Sequence, residues 1–214
     1  MLEFAILGLL HERPMHGYEL RKELSTVCGG LRAFSYGSLY PALKRMKDQG
    51  LIAVDDTVEA SKLLPANASA FTGKRGKVVY KLTADGKERF AEWVAETGPN
   101  AYDDERFGVH LAFFSYTASD VRLRILEGRR RKVEEQQEGL TAALARTRAR
   151  LDRYTLELHQ HGLDSVNREV RWLSELIDTE RADQAREPGE GTRPGGRGEQ
   201  RARASKSPKP RPDR

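Results

Sequence analysis

Residues Ser35 to Ile52 read SYGSLYPALKRMKDQGLI. Within this stretch Leu39, Leu43 and Met46 recur at i, i+4 and i+7, the spacing that lines one face of an α-helix with apolar side chains. Pro41 fixes the start, because proline is tolerated where its missing N–H would have been unpaired. Ser38 is therefore the expected N-cap and Ser35 to Gly37 the approach. Gly50 is placed to close the helix as a left-handed cap. With that stripe inward, Ser38, Pro41, Lys44, Arg45 and Asp48 face outward, flanked by Tyr40 and Lys47. Such a face can enter a DNA major groove. Its hydroxyls and tyrosines, Ser35, Tyr36, Ser38 and Tyr40 among them, would reach base edges and phosphates, while Lys44, Arg45 and Lys47 offer charge to the backbone. Tyr40, on the flank, fits either DNA contact or packing against the preceding helix.

Upstream, Phe4, Ile6, Leu7, Leu9 and Leu10 cover most of a short helix from Leu2 to Leu10, which Arg13-Pro14 ends. A second helix is expected from about His16 to Val27, burying Tyr18, Leu20 and Leu24 and stopping at Gly29-Gly30. His16 and Tyr18 read as structural residues of the turn between helices. Downstream, Leu51 to Val54 and the alternating, β-branched Val78 to Leu82 form a two-stranded hairpin whose tip is the long polar excursion from Asp55 to Thr72 and beyond. Lys74, Arg75 and Lys77 beside Gly73 and Gly76 make that tip cationic and pliable, as phosphate or minor-groove contact requires. Thr83 then caps a fourth helix running through Phe90 and Trp93 to Gly98-Pro99. Either basic element alone could be a solvated charge run; together, in the order of three helices, wing and closing helix, they point to a DNA-binding winged helix-turn-helix.

After Pro99 the pattern changes. An acidic Asp103-Asp104-Glu105 precedes Phe107, Phe113, Phe114 and Tyr116, and Thr117 with Asp120 makes a capping signal for a long helix. Leu123, Leu126, Val133, Leu140, Leu144, Leu151, Tyr154 and Leu158 fall on one unbroken heptad register, with Arg130, Gln137 and Thr147 in the remaining core slots. A break from His159 to Gly162 ends this helix, and Asp164 or Ser165 opens another with Val166, Val170, Leu173 and Ile177 on one face. This half is a helical hairpin or two helices of an intersubunit bundle. Trp93, Tyr102, Phe107, Phe113, Phe114 and Tyr116 cluster where the two halves meet, which suits either a plain dimer core or an aromatic-lined effector pocket.

The chain of 214 residues carries a formal charge of +5. From Arg186 onward nine Lys/Arg face four Asp/Glu, so the whole excess lies in the tail and the body is neutral. A DNA surface must then come from the arrangement of charge. Beyond about Ala182 the sequence is mostly Gly, Pro, Arg and Ser, too poor in apolar residues to repay ordering, and is expected to be disordered. The single Cys28 excludes an intrachain disulfide and suits a reducing cytoplasm. It reads as an ordinary, partly buried thiol. His110, His159 and His161 lack supporting ligands at defined spacing, so no metal and no other cofactor is expected. No nucleophile–base pair, phosphate loop or paired-carboxylate motif suggests an enzyme. The opening apolar run is too short to span a bilayer, contains Glu3 and follows no cationic leader, so neither signal peptide nor membrane partner is expected.

LEFAILGLL at the start, HGYEL at His16 to Leu20, SYGSLYPALKRMKDQGLI and GKRGKVVYKLTADG at Gly73 to Gly86 together resemble the PadR-like family of bacterial transcription regulators, in the right order across residues 2 to 95. The resemblance implies a winged-helix domain, a C-terminal helical dimerisation region and repression relieved by a small, often aromatic molecule. It makes Ser38, Tyr40, Lys44, Lys74, Arg75 and Lys77 the DNA-facing set. The wing excursion is longer than the family's usual hairpin, the C-terminal helices resemble its longer variant, and the basic tail has no family counterpart. The expected fold is mainly α with a small β-hairpin: a winged helix-turn-helix domain over 1–98, a coiled-coil dimerisation region over 99–182 and a disordered basic tail over 183–214. The expected partners are double-stranded DNA, a second copy of the chain and a small-molecule effector, in the cytoplasm at the nucleoid. The alternative is a winged-helix and coiled-coil adaptor for other proteins with weak non-specific DNA binding.

Overall fold

The structure, a computed structural model, describes residues 1–27, 36–55 and 78–186. Helix α1 (Leu2–Glu12) buries every residue from Phe4 to Leu10. A helix apolar on all sides has to be surrounded. Around it pack α2 (Gly17–Val27), α3 (Tyr36–Asp48), α4 (Ala84–Val94) and the strand β3 (Val79–Leu82). Their shared core includes Leu20 and Leu24 of α2, Leu39, Ala42, Leu43 and Met46 of α3, and Phe90 and Val94 of α4.

Local chemistry explains each boundary. At the start of α2 the His16 backbone N–H donates to Glu19 Oε2 at 2.9 Å, one half of a capping box. Tyr18, expected inside, is exposed: it lies two residues from Leu20 and so points away from the Leu20/Leu24 stripe. Helix α3 begins at Tyr36, three residues earlier than an N-cap at Ser38 would place it, so Ser38 is not its N-cap and Pro41 lies inside the helix. The proline forfeits one backbone hydrogen bond to the Gly37 carbonyl, and the buried stripe holds the helix regardless. At its other end Gly50 takes φ 76°, Gly50 N–H donates to the Lys47 carbonyl at 3.0 Å and Leu51 N–H to the Met46 carbonyl at 2.9 Å, the Schellman pattern.

The expected hairpin strands are present as β2 (Ile52–Val54) and β3, antiparallel with Ile52 opposite Leu82. The sheet has a third strand that the sequence reading missed. Strand β1 (Met15–His16) pairs Met15 with Tyr80 and His16 with Val79, giving the order β1-β3-β2. Two residues after Pro14 carry no alternation to read. Thr83 caps α4 as expected, its Oγ accepting from Gly86 N–H at 3.0 Å and donating to the Gly50 carbonyl at 2.7 Å, which ties the end of α3 to the start of α4. The helix stops at Val94, short of Gly98-Pro99.

The second half holds a 3-10 turn at Pro99–Tyr102, α5 (Phe107–Ala112), another at Phe114–Tyr116, then α6 (Ser119–Thr147), a third turn at Arg148–Arg150 and α7 (Arg153–Arg186). Thr117 does not cap α6; Ala118 holds that position, the Thr117 hydroxyl donates to the Phe113 carbonyl at 3.2 Å, and Asp120 pairs with Arg124 at 3.0 Å. The heptad register is not carried by one helix. It breaks after Thr147, and Leu151, Tyr154 and Leu158 fall beyond the end of α6. Asp152 sets the new start, its Oδ1 accepting from Tyr154 N–H at 2.9 Å and Thr155 N–H at 3.1 Å. Helix α7 then runs through His159 to Gly162, where a break was expected, because one interior glycine costs only about 1 kcal/mol. It continues to Arg186, so residues 183–186, assigned to a disordered tail, are helical. The rest of the tail and the Gly29-Gly30 stop lie outside the described residues.

The two long helices form a hairpin within the chain. Leu126 and Val133 of α6 share a core with Val166, Leu173 and Ile177 of α7, with Leu123, Leu140 and Val170 at its margin. Among the described residues no helix is long and apolar enough to cross a membrane. The halves are joined most tightly where the ring of Phe113 lies on Gly8 of α1, in the space a Cβ would occupy. Gly8→Ala is therefore expected to lower stability, the clash outweighing the ~1 kcal/mol alanine gains in helix propensity. Phe113→Leu in the same chain should recover part of the loss. Urea unfolding midpoints measure both; an unchanged or raised midpoint for Gly8→Ala alone would contradict this packing.

Candidate nucleic-acid interface

With Leu39, Ala42, Leu43 and Met46 committed to the core, the opposite side of α3 faces solvent. Ser38, Pro41, Lys44, Arg45, Lys47 and Asp48 are all exposed. The structure thus places the central residues of the expected DNA face together on one surface. Lys44 and Lys47 make no salt bridge to any described residue. Arg45 is different. Its Nη2 and Nε both donate to Oε1 of Glu3, at 3.0 Å and 3.3 Å, linking the outward face of α3 to the first turn of α1. Forty-two positions separate the partners, and no periodicity within either helix could have announced the pair.

Tyr40 packs against the start of α2. Its ring is half-buried against the core and covers Gly17, whose missing Cβ would stand 3.2 Å from the phenol oxygen. Burial, with Tyr40 adding to it, pushes the neighbouring Tyr80 phenol above its ordinary pKa. His16 is buried, and among the described residues neither ring nitrogen has a hydrogen-bond partner. Of the remaining expected contacts, Tyr36 lies in α3 by its backbone, and Ser35, Lys74, Arg75 and Lys77 lie outside the described residues, as does Cys28.

The aromatic residues expected to form one cluster divide between two cores. Trp93 and Phe113 join Phe4 and Phe90, with ring centroids 5.6 Å apart for Phe4–Trp93 and 5.7 Å for Phe4–Phe113. Tyr116 closes that group over Phe90 at 5.7 Å. Tyr102, Phe107 and Phe114 belong instead to the hairpin, where Phe107 meets Trp172 edge-on at 6.2 Å. The division follows from chain direction. The adjacent Phe113 and Phe114 point to opposite cores, and Tyr116 returns to the side of Phe113.

The acidic run before that segment is structural. Asp103 accepts from the backbone N–H groups of Glu105 and Arg106, at 3.0 Å and 2.6 Å. Asp104 pairs with Arg129, which is buried and also donates to Glu169 at 2.8 Å and 2.6 Å. The hydrogen bond from Arg129, with help from Lys132, holds the Asp104 carboxyl below the usual range. Glu180 is lowered as well: its burial acts upward, but hydrogen bonds from Arg122 and Ser119 outweigh it.

Three helices, a sheet in which β2 and β3 follow the third helix, and a cationic outer face on that helix define a winged helix-turn-helix protein. Residues 6–92 match the family model described as "Transcriptional regulator PadR-like family". It is 28% identical over 99 residues to the "Negative transcriptional regulator PadR" of Bacillus subtilis (strain 168), a match spanning 46% of this chain and 48%, about half, of that relative. Solved structures similar to it include B. subtilis PadR in complex with operator DNA, at TM-score 0.37 and 21% identity over 84% of this chain and 98% of that one. The virulence activator AphA of Vibrio cholerae is similar at TM-score 0.36 and 20% identity, over 86% and 99%.

His110, facing Phe4 at 4.8 Å between ring centroids, carries a measurable consequence. Burial, assisted by Arg106 and opposed by Asp103, lowers its pKa from 6.5 to about 4. In the folded chain it stays neutral to that pH, whereas the unfolded chain binds a proton near 6.5. Its effect on stability is absent above pH 6.5 and grows as pH falls from 6.5 to 4, reaching a loss on the order of 3 kcal/mol. His110→Phe should lose less stability than the wild type between pH 7 and pH 4.5 in urea titrations. An equal acid loss in both would remove His110 from the account.

Proposed function

We propose that this protein is a sequence-specific DNA-binding transcription regulator that acts as a homodimer, reading an inverted-repeat operator through α3 and the wing. The observation that carries the reading is the divided face of α3. Four apolar residues fix one side in the core, and Lys44, Arg45 and Lys47 are thereby held outward as a unit. Phosphate contact by such cations supplies affinity, and the hydroxyl-bearing start of the helix supplies base readout. The name of the B. subtilis relative supports repression as the output.

In this reading residues 1–98 form the DNA-binding unit and residues 99–182 the dimerisation unit, with Val109 and Phe113 of the second completing the core of the first. Leu126 and Val133 are covered by α7 of the same chain. Among the described residues, the exposed Tyr154 and Leu158, with Leu140, Leu144 and Leu151 part-exposed beside the turn, offer apolar surface to a second copy, as does Trp172 further along α7. Two recognition helices in such a dimer would sit about one DNA turn apart, roughly 34 Å. One relative has been solved with p-coumaric acid, and a small aromatic effector of this chain would act by shifting the dimer between spacings that fit and do not fit successive grooves. The aromatic residues Trp93 and Phe113 on one side, and Tyr102, Phe107 and Phe114 on the other, flank the segment such a ligand would have to move.

A competition gel shift with the DNA upstream of its own gene tests the reading. A discrete complex that survives excess non-specific DNA is expected, and Lys44→Ala with Lys47→Ala should weaken it while reducing the slope of log affinity against log salt by about two. Unchanged affinity and slope would show that α3 does not present its outward face to DNA.

A further inference from the structure

We propose that Glu3 sets the DNA affinity of the recognition helix, because its carboxylate holds the Arg45 guanidinium and competes with DNA phosphate for that cation. The inference rests on the reading of α3 as the DNA surface and adds a regulating residue from a different helix. Arg45 is one of three cations on the outward face of α3, and the only one of the three that the described residues tie to a carboxylate. Both hydrogen bonds converge on a single oxygen, Glu3 Oε1. A guanidinium has five N–H donors, so the pair neutralises the charge of Arg45 without occupying all of its donors.

The balance of the competition follows from exposure. The Arg45 side chain is 59% exposed and that of Glu3 29%, so the pair stands in solvent and is weak. A phosphate that brings its own counterion release can displace the carboxylate. Glu3 then remains near the incoming backbone as an uncompensated negative charge. In a body that carries no excess positive charge, one of three cations is a large share of the local field.

The carboxylate is also seated by the other half of the chain. Glu3 is followed by Phe4, whose ring meets Trp93, His110 and Phe113 at 5.6, 4.8 and 5.7 Å. The Met1 ammonium is partly buried nearby, and burial followed by the charge of Arg106 lowers its pKa. The first turn of α1 thus touches α3 through Glu3 and the segment leading into the hairpin through Phe4. A shift of that segment against α1 changes how firmly Arg45 is held.

The test uses the full chain, a fluorescein-labelled mixed-sequence duplex and anisotropy titrations over a range of salt. Glu3→Gln is expected to bind about 2- to 5-fold tighter with a salt slope steeper by about one. Glu3→Asp, which keeps the charge, should stay near the wild-type slope. Arg45→Gln should weaken binding, and Glu3→Gln should gain nothing in that background. Weaker or unchanged binding by Glu3→Gln, with Arg45→Gln still impaired, would overturn the role of Glu3 as competitor and leave the α3 surface standing. If Arg45→Gln changes neither affinity nor slope, the proposal falls together with the placing of Arg45 on the DNA surface. Urea midpoints close to the wild type for all variants separate these outcomes from loss of fold.

Discussion

Helix α1 has no solvent-facing side between Phe4 and Leu10, and the rest of the molecule is arranged to satisfy that constraint. Each large aliphatic side chain in that run gains about 1.5–3 kcal/mol by leaving water, and the gain requires neighbours on every side. The α3 stripe, the α2 leucines, strand β3 and α4 supply most of them. Gly8 supplies the last by leaving room for Phe113, which arrives from beyond residue 98. A helix that must be enclosed thus draws the hairpin segment onto the winged helix and fixes which way α3 faces.

That orientation connects fold to function. The stripe Leu39, Ala42, Leu43 and Met46 cannot rotate outward without opening the core, so Lys44 and Lys47 point away from it. In the proposed function no general positive charge is needed to meet DNA, because the packing gathers Lys44, Arg45 and Lys47 on one face. In the second half the dominant restraints are ionic as well as apolar. Arg129 sits between Asp104 and Glu169, and Arg122 between Glu180 and the Phe114 and Thr117 carbonyls. Removing one partner of such a network strands a buried charge, so these groups fix the relation of α6 to α7 and to the linker more sharply than apolar contact alone would.

The sequence disclosed what depends on near neighbours. The α3 stripe, the Gly50 cap, the Thr83 cap, the pairing of β2 with β3 and the inward face of Val166, Leu173 and Ile177 all follow from spacings within a few residues. Where competing local signals met, the choice between them went astray. The heptad helix ends at Thr147, Asp152 caps a new helix that runs on through Gly162 where an interruption was expected, and Thr117 looked like a cap while its hydroxyl bonds backward to Phe113. Two features were illegible for a different reason. Strand β1 is defined only by its partner, and the Glu3–Arg45 pair exists only once α1 and α3 have packed. The likeness to the PadR-like family was legible because the matching motifs are local and fall within residues 6–92.

The proposed mode of action sets the outward face of α3 against DNA. Photo-crosslinking tests it most directly, with p-benzoylphenylalanine placed at Lys44 in one protein and at the exposed Arg171 of α7 in another, each bound to upstream DNA under excess competitor. A strong crosslink is expected from position 44 and little from position 171. Equal yields, or a crosslink from position 171 alone, would contradict it.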